Sequence, residues 1–179
     1  MEDAKKFLEK ISDEHTLRDN LSFISLYIAL FENFADNIEE RIKCFFCIET
    51  LKIENGKITA EENEKYRRVI KNRKVDDKGN KNILKSSMLW LKDNGAINDD
   101  DYNIFTKAKE QRHLFAHELM ACLFQGITEE EFKLFIELFA LYKKIDMWWI
   151  NEIEIPCSGQ FTPGRYEENE VHSVIIGTI

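Results

Sequence analysis

Residues 1–155 contain no proline; the chain's two prolines, Pro156 and Pro163, both fall in its last 24 residues. Proline is the strongest interrupter of a helix, because it lacks an N–H and clashes with the preceding turn. A proline-free run of this length, with only 7 glycines in the whole chain of 179 residues, predicts an all-α body. Hydrophobic residues make up 44% and charged residues 32%. That is a folding composition rather than a disordered one, and the length suits one domain.

The spacing fills in the elements. A short helix fits residues 3–11. Ile24, Ile28, Phe31, Ala35, Ile38, Ile42 and Phe45 recur at helical intervals, and Phe23, Leu26, Leu30 and Phe34 widen the stripe. A long buried helix is expected at about 17–50. ENGK at 54–57 reads as a turn, and Thr59 with Glu62 as a capping box opening a helix to about 73. A helix at about 81–93 should end at Gly95 in a left-handed cap. The next should run over 98–125, from the acidic cluster Asn98–Asp101 to Gly126. Thr128 and Glu131 form another capping box, opening a second long buried helix at about 128–155. The expectation is a bundle of five to six helices over residues 1–155. A tail at 156–179 follows, turn-rich and then β-prone in VHSVIIGTI.

Every apolar stretch is interrupted by charge, so no membrane span is expected. The opening MEDAKKFLEK lacks the apolar core of a secretory signal. A cytoplasmic setting with reduced thiols is therefore expected for Cys44, Cys47, Cys122 and Cys157. Cys44 and Cys47 form a lone CxxC in an apolar helical pattern, which favours two small buried residues over a zinc or redox pair.

The net charge of −8 disfavours a general nucleic-acid binder. The distribution is uneven, however. Residues 65–92 hold ten bases against Asp76 and Asp77. Lys65, Arg67, Arg68, Lys71, Arg73 and Lys74 lead this segment. It is either a solvated helical face or a lip for a phosphate backbone or an acidic partner.

EQRHLFAHEL, residues 110–119, concentrates unusual chemistry in the chain's late part. On a wheel of 100° per residue, Phe105, Ala108, Ala116, Leu119 and Leu123 share a stripe, and Arg112 lies in its middle. An arginine there must be paired, because an uncompensated buried charge is costly. His113 and His117 share the neighbouring half-apolar sector with Glu110, Leu114 and Met120. Three readings fit. The histidines are satisfied core residues, or with Glu110 they chelate a metal, or they work with Arg112 in a cleft shared by two copies of the helix across a two-fold axis.

Arg112-His113-Leu114-Phe115-Ala116-His117 resembles the signature of the HEPN superfamily: an arginine, a polar residue, three more residues and a histidine. The resemblance implies a helical bundle with the signature on a late helix. It implies a homodimeric endoribonuclease that needs no metal or cofactor. Some members are toxins of toxin–antitoxin modules or agents of phage defence, so an antitoxin or regulatory protein becomes a conceivable partner; others only bind. Leu119 stands where the toxins paired with small nucleotidyltransferases commonly carry tyrosine, a departure from that subgroup.

The implied chemistry starts from the 2′-hydroxyl of RNA as nucleophile. His117 would move the protons, since imidazole exchanges a proton near neutral pH. Arg112 would hold the scissile phosphate. His113 would orient the site or carry a second proton, and Glu110 would support the histidines. The products would be a 2′,3′-cyclic phosphate and a 5′-hydroxyl. The competing expectation is a non-catalytic interaction module that binds through Trp148-Trp149, the basic 65–92 segment or the tail.

Overall fold

The computed structural model describes residues 13–54 and 57–158, so the expected helix at 3–11 and the tail from 159 onward lie outside the described residues. The fold is an all-α bundle built on one 33-residue helix, α1 (Glu14–Phe46). Its buried face runs through Ile24, Tyr27, Phe31, Phe34, Ile38 and Ile42, the three-and-four spacing visible in the sequence. Around it pack α2 (Glu64–Tyr66, continuing as a π turn over Arg67–Lys71), α3 (Ile83–Asp93), α4 (Asp99–His117), α5 (Leu119–Gln125) and α6 (Glu129–Trp149). A π turn (Ile150–Glu154) and a last turn, α7 (Ile155–Ser158), extend α6.

The caps explain most boundaries. Asn98 and Asp101 form a reciprocal capping box on α4, and Thr128 with Glu131 form one on α6. Gly95 takes φ +77° just past α3, where a side chain would be strained. The core centres on Phe34, which meets Tyr142 of α6 edge-on at 5.5 Å and Phe105 of α4 at 6.3 Å. A second cluster joins Ile24, Tyr27, Phe115 and Leu123 at one end of the bundle.

Several boundaries differ from expectation. The first long helix stops at Phe46, short of residue 50, and a hairpin follows. Strand β1 (Leu51–Glu54) pairs antiparallel with β2 (Lys57–Ala60), Glu54 opposite Lys57. Thr59 pairs opposite Lys52 in this ladder and therefore does not cap a helix. Asn63 caps α2 instead, accepting from the Tyr66 N–H at 2.8 Å. Its amide also donates to the Phe46 carbonyl at 2.6 Å, which ties the start of α2 to the end of α1.

The helix expected over 98–125 breaks at Glu118, whose φ of −118° and ψ of 34° are not helical. No glycine or proline marks that break; the redirected α5 is what lets Leu123 reach the Ile24–Tyr27–Phe115 cluster. Ala116 and Leu119, placed on the buried stripe by an unbroken wheel, are consequently exposed. Phe115 is the residue that continues the stripe.

Trp148 and Trp149 are not a free end. Trp149 is buried, and both pack on Trp90 at 6.3 Å with Phe45 and Phe46 alongside. Cys47 is buried and Cys44 half-buried, both as free thiols, as expected of small apolar residues in a helix end. One polar pair crosses the core. Arg41 of α1 meets Asp146 of α6 at 2.7 Å, and Asp146 is 1% exposed. Among the described residues, no helix is long and apolar enough to cross a membrane.

Candidate active site

Helix α4 is positioned by its buried residues. Phe105, Ala108 and Phe115 face α1: the Tyr27 hydroxyl donates to the Ala108 carbonyl at 3.4 Å, and the Phe115 ring meets Tyr27 edge-on at 5.1 Å. Arg112 lies between Ala108 and Phe115 on this same face. It reaches α1 and is paired there with Glu32. Nε and Nη2 of the guanidinium both turn to Oε1 of that carboxylate, and Nη1 takes no part. The arginine in the apolar stripe is thus paired, though only half-buried. The pair keeps water contact, with side chains 32% and 43% exposed, so it contributes at most about 1 kcal/mol to stability.

His113 lines the same groove wall as Arg112, and His117 follows one turn later on α4. Their ring centroids are 4.3 Å apart with planes inclined at 48°, and both are exposed. His117 is the last residue of α4. Glu110 is exposed and, among the described residues, makes no hydrogen bond or ion pair with either ring. No group of three or more His, Cys, Asp and Glu side chains among the described residues is arranged to hold a metal.

A groove of about 690 Å³ opens beside Arg112, between α1, α3 and α4. Its floor is apolar: Phe31, Ala35 and Leu84. Glu32, Asp36 and Glu39 of α1 form one wall. Lys85 of α3 and Lys109, Arg112 and His113 of α4 form the other. Burial, and then the nearby Asp36 carboxylate, raise the Glu39 carboxyl above its ordinary value, with Lys109 partly offsetting them. Burial, and then the Lys85 ammonium, lower Lys109, with Glu39 opposing. Each wall therefore crowds like charges in a partly desolvated place.

Around the histidines the surface is apolar where solvent would favour polar groups. Leu114 is 46%, Leu119 37% and Met120 58% exposed. The wheel put Leu114 and Met120 beside His113 and His117, and Leu119 on the buried stripe; in the isolated chain all three are exposed.

The basic segment divides. Arg67 and Lys71 are both bound to Glu62, and Arg73 to Asp93 at 2.8 Å. Lys65 lies over the Phe46 ring, and with Arg68 lines a separate groove near Phe45. Lys74 bridges to Lys81 across a short turn. None of these six residues lines the Arg112 groove. The cations that do, Lys85 and Lys109, were not singled out as site residues in the sequence. Glu32 was missed too, although it borders the apolar stripe of α1 and a buried arginine demands an acid.

The fold and site together define an all-α bundle with an Arg–His–His constellation on its fourth helix, beside a charge-walled groove. Compared with known proteins, the chain matches no family model, no curated protein and no solved structure.

Proposed function

We propose that the protein is a HEPN-type endoribonuclease that cleaves RNA without a metal, at a cleft completed by a second copy of the chain. The observation that carries the reading is the Arg112–His113–His117 constellation: a guanidinium anchored by Glu32 with its Nη1 edge uncommitted, and two adjacent imidazoles open to solvent. Nη1 would take a phosphate oxygen while Glu32 holds the guanidinium. The paired imidazoles supply a proton acceptor for the 2′-hydroxyl and a proton donor for the departing 5′ oxygen. Uncovered Leu114, Leu119 and Met120 around them suit a subunit seam. Toxin or phage-defence activity, held in check by an antitoxin-like partner in the cytoplasm, is the biological setting this reading favours.

The test is an RNA cleavage assay in EDTA. Wild-type protein should yield 2′,3′-cyclic phosphate and 5′-hydroxyl ends. Arg112→Ala and His117→Ala should each lower the rate by at least about 100-fold with the melting temperature retained. Cleavage that persists in both variants sinks the assignment.

A second reading is favoured by Glu32 itself. Its carboxylate already neutralises Arg112, which suits a non-catalytic module on the same bundle. That reading expects RNA or protein binding without turnover, and destabilisation when Arg112 is replaced.

A further inference from the structure

The groove beside Arg112 has more charge than its own contacts use. Among the described residues, Asp36, Glu39, Lys85 and Lys109 make no side-chain hydrogen bond or ion pair, although all four line one cavity. Five other cations, Arg67, Lys71, Arg73, Lys92 and Lys144, are by contrast each spent on a carboxylate. The unspent groups are also sorted. Asp36 and Glu39 lie three residues apart on α1, and the bases on α3 and α4 across an apolar floor.

A ligand that fits must be flat and apolar in its middle, offer N–H donors on one edge and carry negative charge on the other. We propose that this groove seats one guanine nucleotide of an RNA strand. The base lies over Phe31, Ala35 and Leu84, its donor edge meets Asp36 and Glu39, and its phosphate meets Lys85 and Lys109. The proposal rests on the ribonuclease reading only in taking the neighbouring phosphate, at Arg112, as the one that is cut.

The choice of base follows from the acids. Guanine presents N1–H and the N2 amino group side by side, two donors that one carboxylate accepts together. Adenine and cytosine set a single amino group next to a ring acceptor, whose lone pair faces a carboxylate unfavourably. Uracil offers one N–H between two carbonyls. Single-stranded RNA is read in this way, on unstacked bases through their Watson–Crick edges. Lys109 and Arg112 are three residues apart on α4 and both line the groove, so one strand can pass both of them.

The experiment uses fluorescent 2′-O-methyl tetranucleotides, which lack the attacking hydroxyl and stay intact. UGUU and UUUU are titrated with the full-length protein and followed by anisotropy. Wild-type protein should bind UGUU about tenfold more tightly, the size of one good bidentate base contact. Asp36→Asn with Glu39→Gln should erase the preference, and Lys85→Ala should weaken both strands alike. Thermal melting checks each fold, and Asp36→Asn alone serves where the double variant melts lower. Equal affinity of wild-type protein for the two strands, or a preference that survives Asp36→Asn with Glu39→Gln, overturns the proposal.

Unmodified strands and free guanosine monophosphate are assayed in parallel. Cleavage without guanine preference overturns the groove assignment and leaves the ribonuclease reading standing. Guanine-selective binding without cleavage does the reverse. Binding of the free nucleotide alone supports the guanine site, and moves its source from a strand to a soluble nucleotide.

Discussion

Arg112 and Glu32 are joined across the α1–α4 contact through a single carboxylate oxygen, which leaves one edge of the guanidinium open. On the ribonuclease reading, Glu32 acts as a positioning residue that holds Arg112. Glu32→Gln should keep the fold, because the pair is partly solvated and contributes at most about 1 kcal/mol. The rate of RNA cleavage should fall about tenfold with KM little changed, since a misplaced guanidinium loses charge stabilisation in the transition state. Steady-state kinetics on a short RNA checks this. A change in KM alone would make Glu32 part of the binding surface instead.

The apolar collar around the histidines predicts the assembly. Met120→Glu with Leu114→Glu should convert a dimer into a monomer in light scattering, with little effect on melting, because both side chains are exposed in the single chain. Cleavage should fall with the dimer. Mixing inactive Arg112→Ala and His117→Ala subunits should restore part of the activity, because a shared cleft then holds one intact arginine and one intact histidine. No recovery on mixing would place a complete site within each chain.

The fold was legible in the sequence where local chemistry set the boundary. The acidic cap at Asn98–Asp101, the capping box at Thr128–Glu131, Gly95 and the α1 stripe apart from the exposed Leu26 stand where the pattern put them. It was illegible where tertiary contacts decided. Thr59-x-x-Glu62 has the letters of a capping box, yet pairing with Lys52 claims Thr59 for a strand. The two-residue Asn55-Gly56 spacing between LKIE and KITA is itself a hairpin signal, and it outranks the cap. Glu118 breaks α4 with no breaker residue, because α5 turns to bury Leu123.

The candidate site shows the same division. Arg112 was conspicuous because one charge interrupts an apolar stripe. Glu32, Asp36, Lys85 and Lys109 look like ordinary surface charges until three helices gather them into one groove.

Asp146 predicts a different behaviour from the surface pairs. It is buried against Arg41 at 2.7 Å, in a contact off the directions of a hydrogen bond, and neither carboxylate oxygen has another donor. Arg41→Ala strands that charge and should cost about 3–5 kcal/mol, lowering the melting temperature by roughly 10 °C. Arg41→Met combined with Asp146→Leu removes both charges and should recover most of that loss. Thermal melts of the single and double variants decide it. A double variant no more stable than Arg41→Ala would show that the pair shapes the α1–α6 packing beyond its charge.

Glu39 gives the pH-dependent test. Its carboxyl is raised above the ordinary value by burial and by Asp36, and only partly relieved by Lys109. In the window between the unfolded and folded values, the folded chain holds a proton that the unfolded chain has released. Stability from this group is therefore complete below the unfolded value, about 4.3, and lost as pH rises through the higher folded one. At pH 7 the ionised Glu39 is a burden that Glu39→Gln removes. The variant should melt about 1–3 °C higher at pH 7, and the gain should shrink towards zero as pH falls below about 4, where wild-type Glu39 is already neutral. Melting both proteins from pH 3.5 to 8 reads the difference directly. A gain independent of pH would assign the effect to packing, and a loss at pH 7 would mean that attraction to Lys109 outweighs burial and Asp36 together. The same titration with bound UGUU separates the groove's two roles: a ligand that donates to Glu39 stabilises its ionised form, so the pH 7 advantage of Glu39→Gln should disappear in the complex.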